Sequence, residues 1–287
     1  MRRKKGCPVR KTFAVIGGDL RQMFLARQLQ ALGHEVSTFA VPEVDNAPTL
    51  RACVHAADVI VLPLPALSSA DTVRAADGGI PLRDILDAAT PGCTVCGGGL
   101  ALAQTTLARR AVRTFDYAQD ETLLLENAEL SAEGALALLM QRLHRPVMHS
   151  RILLLGFGRI ARRLAQKLPA LGAHVCVAAR NPRDRALARL LECESAEPAR
   201  ALRDLAPFDA VINTVPAQLV TPAQLQSARP ACLLLELASA PGGFCAEARA
   251  RASYLAAPGL PGKYAPEEAA ACICRALGRA LQLGEFA

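Results

Sequence analysis

The sequence contains no tryptophan, and only three tyrosines and eight phenylalanines occur among its 287 residues. Its formal net charge is +7, but the arginines that produce this charge are scattered along the chain. Proteins that bind nucleic acids concentrate positive charge in a stripe or interleave it with aromatic rings that stack on bases. The composition therefore indicates a general attraction for anions and argues against a nucleic-acid partner.

Long apolar runs are absent as well. The first residues, "MRRKKGCPVRK", have the charge of an export signal, but the apolar stretch in the following "TFAVIGGD" is short and ends in glycines and an aspartate. Such a stretch is too short for a signal core or a membrane span. We therefore expect residues 1–12 to form a basic, disordered arm, and we expect no membrane partner.

The ten cysteines lack the regular spacings of a small disulfide-bonded secreted domain, which favours a reducing, cytoplasmic location. Cys93 and Cys96 have the CxxC spacing of redox proteins. The Pro-Gly pair before them and the glycines after them, however, favour a strand that enters a turn. We expect this pair, and Cys272 and Cys274 in a helical pattern, to be structural. No metal site is predicted.

Two segments of the chain align without a gap. "FAVIGGDLRQMFLARQLQALGHEVSTFA" begins at Phe13, and "ILLLGFGRIARRLAQKLPALGAHVCVAA" begins 139 residues later at Ile152. Each has the pattern of an apolar strand, a glycine turn, an amphipathic helix and a glycine that ends the helix before a second strand. The chain is therefore predicted to be an α/β protein with two doubly wound Rossmann-like domains, each built on a parallel sheet and joined by long connecting helices.

The apolar patterns also place the individual elements. A connecting helix is predicted from Ser131, where "SAEG" resembles a helix start signal, and a last helix is predicted over residues 265–284. In many two-domain dehydrogenases such a last helix packs back on the first domain. The predicted domains are a substrate or partner domain at 13–130 and a nucleotide-binding domain, with the connecting helix, at 131–287. The predicted strands lie at 13–16, 36–39, 59–62, 94–96, 152–155, 174–178, 210–213, 233–237 and 254–256.

The glycine turn of the second half has the GxGxxA pattern, with Gly156, Gly158 and Ala161. The first glycine allows a tight turn, the second lets the backbone approach a pyrophosphate, and the small third residue lets helix and strand pack closely. The motif predicts a dinucleotide site that also includes Arg159 and Ile160. The alternative is a tight turn without a ligand.

The end of the next strand indicates which dinucleotide binds. Enzymes that use NAD place Asp or Glu there to bind the ribose hydroxyls, whereas this chain has "AARNPRDR". A guanidinium can clamp the 2′-phosphate of NADP, which a carboxylate would repel. NADP is therefore favoured by Arg180, Arg183 and Arg185. Asn181, which lies between them, is also expected to bind the cofactor. The alternative is that these arginines are merely solvated.

The glycine turn of the first half, "VIGGDLRQ", has Asp19 opposite Gly158. A carboxylate about 4 Å from a phosphate costs on the order of 4 kcal/mol, or roughly a thousandfold in affinity. We therefore expect the first half to have lost its nucleotide and to bind substrate, since its helix N-terminus still favours anions and Arg21 lies beside it. The alternative is that Asp19 merely caps the helix and Arg21 is exposed.

With these residues in place, the chain resembles the A subunit of dipicolinate synthase from spore-forming bacteria over nearly its whole length after the basic arm. The resemblance lies in "VIGGDLRQ", "GFGRIARRLAQKLPALGAHV", "AVINTVPAQL", "LLELASAPGG" and "APGLPGKYAP". It implies an NADP-dependent oxidation of dihydrodipicolinate, or its hydrated precursor, to dipicolinate. It also implies that the partner is a flavoprotein-like B subunit and that the protein acts in the cytoplasm of the mother cell during sporulation.

The resemblance and the residue chemistry together give the remaining candidate site residues. Asn213 is expected near the nicotinamide, with Thr214, Val215 and Pro216 binding the cofactor, and Glu133 is a candidate proton acceptor or, alternatively, a helix cap. The candidates for binding the small dicarboxylate substrate are Asp19, Arg21, Gly259 and Lys263. The chain departs from the family pattern at Glu236, where the family has Asp, and in "NAELSAEG", which lacks the usual Pro.

Three other functions share parts of this pattern. A 2-hydroxyacid dehydrogenase would carry an arginine where this chain has "LASAPGG", and a shikimate-type dehydrogenase needs a Lys-Asp pair in its first domain. Beyond residue 11 the only lysines are Lys167 and Lys263, so that pair is absent. The third alternative is a noncatalytic NADP-binding partner protein. Self-association of the chain is left open.

Overall fold

The computed structural model describes residues 10–76, 78–110 and 112–283. The chain divides into two compact units, one formed by Met1–Asn127 with Gly262–Ala287 and the other by Ala128–Pro261. Most of the predicted basic arm, residues 1–9, lies outside the described residues, while Thr12 already begins a strand. The segment from Gly262 onward joins the first unit, an arrangement that the prediction left open for the last helix.

The first unit contains one parallel sheet and one small antiparallel sheet. Its strands are β1 (Thr12–Ile16), β2 (Glu35–Phe39), β3 (Val59–Val61), β4 (Leu67–Ser69), β5 (Thr72–Ala75), β6 (Gly78–Pro81), β7 (Thr94–Gly97) and β8 (Arg113–Asp116). The parallel sheet has the order β2-β1-β3-β7-β8, and the antiparallel sheet has the order β4-β5-β6. Numbered along the parallel sheet alone, the order is 2-1-3-4-5, one of the two common doubly wound orders.

The helices of the first unit cover both faces of its parallel sheet or join its strands. They are α1 (Leu20–Ala31), α2 (Leu50–Val54), α3 (Leu82–Ala88), α4 (Gln104–Arg109), the first turns of α5 (Glu121–Arg142) and α12 (Pro266–Leu281). The last helix packs along α1. Gln28 Nε2 of α1 donates to the carbonyl oxygen of Glu267 at 3.2 Å, and Arg279 of α12 pairs with Asp120 at 2.9 Å.

The second unit is built on a six-stranded parallel sheet. Its strands are β9 (Arg151–Leu155), β10 (His174–Ala178), β11 (Glu194–Ala196), β12 (Ala210–Asn213), β13 (Leu233–Glu236) and β14 (Tyr254–Ala256), and its helices are α6 (Arg159–Ala170), α7 (Pro182–Leu190), α8 (Pro198–Ala201), α9 (Pro222–Leu225) and α10 (Ala246–Arg249), with α11 (Leu260–Tyr264) at the boundary. The order is β11-β10-β9-β12-β13-β14, which is the 3-2-1-4-5-6 order of dinucleotide-binding sheets. The predicted fold class is confirmed.

The core of the second unit shows why its strands are continuously apolar. Ile152 and Leu154 of β9 belong to a hydrophobic cluster on one face of the sheet, whereas Leu153 and Leu155 belong to a cluster on the other face. All four side chains are fully buried. Since helices cover both faces of a parallel sheet, its central strands need apolar residues at every position.

The prediction of the connecting helix was wrong about its start. Helix α5 begins at Glu121, ten residues before Ser131, and Asp120 accepts a hydrogen bond from the backbone N–H of Leu123 at 2.9 Å. Ser131 is buried within the helix and does not start it. The segment "APGLPGKYAP" contains the short helix α11, which begins at Leu260.

Several short elements were not predicted at all: β8, β11 and the antiparallel strands β4, β5 and β6.

Within the described part of the chain, no helix has both the length and the apolar character needed to cross a bilayer. The same residues contain no group of three or more His, Cys, Asp or Glu side chains placed to hold a metal ion.

Candidate functional site

The glycine turn of the second unit begins directly after β9. Gly156 has a φ of +94°, and a Cβ atom at this position would lie 2.7 Å from both Thr214 Oγ1 and Val215 Cγ2. A side chain is excluded both by the backbone conformation and by the loop that follows β12. Gly156 therefore lets the end of β9 and the loop at Thr214–Val215 meet closely.

The second glycine of the turn has a different environment. Gly158 is the N-cap residue of α6, with an extended backbone, and a Cβ built there would have no heavy atom of the described chain within 4 Å. The N-cap residue forms no side-chain hydrogen bond to α6, so it leaves the N-terminus of the helix without a side-chain cap of its own. Ala161, which is fully buried, packs the helix against the sheet. This arrangement fits a pyrophosphate bound at the helix N-terminus.

The loop after β12 is held to this turn by hydrogen bonds. Thr214 Oγ1 donates to the carbonyl oxygen of Leu155 at 2.8 Å, and the N–H of Val215 donates to Asn213 Oδ1 at 3.1 Å. Asn213 itself is fully buried, and its Nδ2 donates to Glu236 Oε1 at 2.6 Å and to the carbonyl oxygen of Val215 at 2.8 Å. The structure therefore gives Asn213 a positioning role, while its catalytic role stays a prediction.

The arginines after β10 divide into two kinds. Arg185 braces the loop, since it donates to the carbonyl oxygens of Ala179 at 2.9 Å and Arg180 at 2.7 Å. Arg180 and Arg183 are exposed, and Asn181 caps α7 by accepting from the N–H of Arg183 at 2.9 Å. Two of the arginines that favoured NADP are thus accessible at the end of β10, while the third is engaged by the backbone.

The sequence interpretation missed Arg162, which ties the glycine turn to the arginine loop. Its Nε donates to the carbonyl oxygen of Phe157 at 3.0 Å, its guanidinium lies 5.3 Å from the centre of the Phe157 ring, and Nη2 pairs with Asp184 at 3.2 Å. Arg162 occupies the helix position four residues after Gly158. That spacing would have been the signal for it, because residues four apart share a helix face.

Glu133 forms an ion pair within the second unit. It is in the interior of α5 and pairs with Lys167 Nζ at 3.4 Å. The same Lys167 Nζ also pairs with Glu129 at 2.5 Å. The hydrogen bond and charge of Glu129 raise the pKa of Lys167. Lys167 is eight residues after Arg159 on α6, so this ion pair is about 12 Å along the helix from the glycine turn. The predicted helix-cap role of Glu133 is therefore wrong, because α5 begins at Glu121, while its role as a proton acceptor stays a prediction.

The glycine turn of the first unit is closed by the protein itself. The N–H of Gly18 donates to the carbonyl oxygen of Arg74 at 2.8 Å, and the antiparallel sheet brings that oxygen so near that a Cβ on Gly17 would lie 2.2 Å from it. The N–H of Arg21 is capped by Asp19 Oδ1 at 3.1 Å. These backbone donors, which a phosphate would need, are thus already used.

Arg21 is buried against Asp19 rather than exposed. Its Nε and Nη2 donate to the two Asp19 oxygens at 2.9 and 2.7 Å, and a Cβ on Gly262 would lie 2.7 Å from Arg21 Nε. Burial raises the pKa of the Asp19 carboxyl. The hydrogen bonds and charge of Arg21 lower that pKa by a larger amount, so it lies below its usual value. The charge of Arg21 is thus neutralised within the protein, which removes the reason to expect it to bind a substrate carboxylate.

The other candidate substrate residues are accessible. Lys263 is exposed and follows Gly262 in the first unit, and Gly259, with a φ of +69°, is exposed in the second unit.

Cys93 and Cys96 are buried, and burial raises the pKa of Cys96 to about 12. Neither thiol has the lowered pKa of a reactive cysteine.

The chain is similar in sequence to known proteins. Residues 12–118 match the family model for the N-terminal domain of the dipicolinate synthase A subunit. The chain is 28% identical over 286 residues to the dipicolinate synthase A subunit of Bacillus subtilis (strain 168), with 93% of this chain and 95% of that protein covered.

Two solved structures extend the match to the fold. The dipicolinate synthase A subunit from Bacillus halodurans superposes with a TM-score of 0.83 at 25% identity, covering 98% of this chain and all of that one. The corresponding A subunit from Bacillus subtilis gives 0.79 at 26% identity, covering 96% of each chain. Residues 12–118 thus match the family model of the dipicolinate synthase A-subunit N-terminal domain, and the chain is similar to these A subunits in both sequence and fold.

Proposed function

We propose that this protein is an NADP-dependent oxidoreductase that converts dihydrodipicolinate, or its hydrated precursor, to dipicolinate. The observation that carries the proposal is the turn at Gly158, where open space lies beside the glycine and the N-cap residue gives α6 no side-chain cap, together with the exposed Arg180 and Arg183 at the end of β10. The resemblance to the dipicolinate synthase A subunit supports the substrate.

In this proposal the second unit binds the cofactor. The first N–H groups of α6, which begin at Arg159 and Ile160, bind the pyrophosphate, because the first turn of a helix offers its backbone N–H groups no acceptor within the helix. Arg180 and Arg183 bind the 2′-phosphate, and the loop Thr214–Pro216 lies against the turn on the side of β12. A nicotinamide held by these residues would supply the hydride acceptor for the substrate.

The substrate is proposed to be a dianion whose ring loses a hydride and a proton and thereby becomes aromatic. Aromatisation supplies the driving force, so the protein needs chiefly to hold two carboxylates and exclude competing reactions. Lys263 and the backbone at Gly259 remain our candidates for the carboxylates, since both positions are exposed. Asp19 and Arg21 are proposed to shape the first unit rather than to bind substrate directly.

The partner and the setting follow from the same resemblance. We propose that the chain works with a flavoprotein-like B subunit in the cytoplasm of the mother cell during sporulation. Copurification of the two subunits, and dipicolinate formation that depends on both, are the results expected. A chain that oxidises the substrate at full rate alone would contradict the need for the partner.

A second candidate function is a cofactor-binding protein that performs no hydride transfer. One observation favours it: both predicted catalytic side chains, Asn213 and Glu133, are held by other protein groups. A single-turnover experiment separates the two functions. Mixing the chain with NADP+ and freshly generated substrate should give a stoichiometric rise in absorbance at the nicotinamide band if the chain is the dehydrogenase, and no rise if it only binds.

Cofactor preference is tested by Arg180→Asp. The charge reversal should weaken NADPH binding by more than about tenfold, because a charge-assisted hydrogen bond to the 2′-phosphate is lost, and should leave NADH binding nearly unchanged. Arg203→Asp, an exposed arginine of the same unit, is the matched control. Calorimetric titration of both nucleotides provides the measurement, and an equal loss for NADPH and NADH would remove the NADP assignment.

A further inference from the structure

Glu236 is a buried carboxylate at the C-terminal end of β13. Only 4% of the residue is exposed, and its charge faces hydrogen-bond donors rather than water. Oε1 accepts from Asn213 Nδ2 at 2.6 Å and from the N–H of Ala238 at 3.1 Å, and Oε2 accepts from the N–H of Gly243 at 2.7 Å. Three donors on two loops thus converge on one side chain.

The loop after β13 is shaped around this carboxylate. Gly242 has a φ of +75°, and a Cβ there would lie 2.6 Å from Glu236 Oε2. A Cβ on Gly243 would lie 2.4 Å from Asn213 Nδ2. Both glycines therefore bring backbone to Glu236 and Asn213 at distances that no side chain allows.

Only a carboxylate satisfies this arrangement, since both oxygens accept from N–H groups. A glutamine would turn its NH₂ either toward Gly243 or toward Asn213 and Ala238, and in each orientation it would set donor against donor. A buried donor left without an acceptor costs the free energy of its lost hydration. The charge itself is stabilised by the same N–H dipoles.

The contacts continue from Glu236 to the glycine turn. Asn213 is oriented by Glu236. Its side chain in turn forms hydrogen bonds with both the backbone N–H and the carbonyl oxygen of Val215. Val215 Cγ2 is one of the two atoms that would lie 2.7 Å from a Cβ on Gly156. The position of Glu236 is thus transmitted through Asn213 and Val215 to the turn where the pyrophosphate is proposed to bind.

We propose that Glu236 is a positioning residue for the dinucleotide, which sets the loops after β12 and β13 against the glycine turn by orienting Asn213. This inference rests on the proposed function. It assigns Glu236 no contact with substrate and no proton transfer, because its oxygens are already occupied by Asn213, Ala238 and Gly243.

The test measures NADPH affinity in Glu236→Gln, at a temperature where circular dichroism shows the variant to be folded. The dissociation constant should rise about tenfold or more, since the loops can no longer satisfy their donors around the side chain. Glu236→Asp, which keeps both acceptor oxygens, should recover part of the affinity. Glu247→Gln, the same charge change at an exposed position of the second unit, should bind like the unchanged protein.

The outcomes separate this inference from the proposed function. An unchanged protein that binds neither NADPH nor NADH overturns both. Normal binding by the unchanged protein and equal binding by folded Glu236→Gln overturns the inference alone, because a purely structural role would lower the melting temperature without changing affinity. If Glu236→Gln does not fold, Asn213→Ser decides: a weakened affinity supports the inference, and an unchanged affinity overturns it.

Discussion

At the scale of the residue, Asp209 shows how one carboxylate secures the start of the central strand in the second unit. Its side chain is 9% exposed and accepts from the N–H of Arg151, the first residue of β9, at 2.8 Å. Arg229 pairs with it at 2.9 Å, and Arg145 lies at 3.4 Å. These donors fix the N-terminal end of β9, whereas the proposed cofactor site lies at the C-terminal ends of the strands.

Asp209→Asn is expected to destabilise the protein by about 1.5–3 kcal/mol at neutral pH, because charge-assisted hydrogen bonds are lost. Burial raises the pKa of Asp209. The Arg151 N–H and the guanidinium groups of Arg229 and Arg145 together lower that pKa by a larger amount, so it lies below its usual value. Its stabilisation is therefore complete above about pH 4 and is lost as the pH falls through the folded-state pKa.

Urea unfolding at pH 7 and at pH 3 measures this effect, with exposed Asp204→Asn as the control. The difference between Asp209→Asn and the unchanged protein should shrink at the lower pH. A difference of equal size at both pH values would mean that the carboxylate charge contributes nothing.

Residue roles were the hardest part of the site to predict. The types and positions of Asn213, Glu133 and Arg21 suggested ligand contacts, yet Glu236, Lys167 and Asp19 hold them. Sequence position fixes the strand end or helix on which a side chain lies. It does not specify the partner that comes from a distant segment, and in each case that partner determines the direction of the side chain.

At the scale of the element, the two glycine turns show how the same beginning leads to different surfaces. Asp19 and Gly158 are the N-cap residues of α1 and α6, as the gapless alignment predicted. In the first unit Asp19 and the Arg74 carbonyl use the turn's donors, whereas the second unit leaves the space before its helix open. Only the second turn keeps the properties of an anion site.

Gly158→Ala and Gly156→Ala form a matched pair that tests this difference. Gly158→Ala should keep the melting temperature within about 2 °C, since its Cβ meets no protein atom, but should weaken NADPH binding by blocking the close approach of the pyrophosphate. Gly156→Ala should lower the melting temperature clearly, because its φ is +94° and its Cβ would overlap Thr214 and Val215. Unchanged NADPH affinity in Gly158→Ala would contradict the cofactor site.

The central elements could be predicted because buried parallel strands are continuously apolar. The predicted strands 174–178 and 210–213 have the bounds of β10 and β12. The edge strands β8 and β11 and the antiparallel sheet were missed because they are short and partly polar, so that only pairing with a neighbour identifies them.

At the scale of the whole molecule, the two parallel sheets of the described chain begin alike and are completed differently. The first has the order 2-1-3-4-5 and the second 3-2-1-4-5-6, so only the second has all six strands of the dinucleotide-binding order. The sequence repeat predicted the two beginnings. The return of Gly262–Ala287 to the first unit was suggested only by analogy, because the pattern of α12 shows that it has an apolar face and not which sheet that face covers.

The most direct measurement is the oxidation itself. Purified chain is supplied with freshly generated dihydrodipicolinate precursor and either NADP+ or NAD+, with and without the B subunit, while reduced nicotinamide and dipicolinate are quantified together. We predict one reduced nicotinamide for each dipicolinate formed, with NADP+ preferred. Dipicolinate formation without nicotinamide reduction, or NADP+ that binds and stays oxidised in every mixture, would contradict the proposed function.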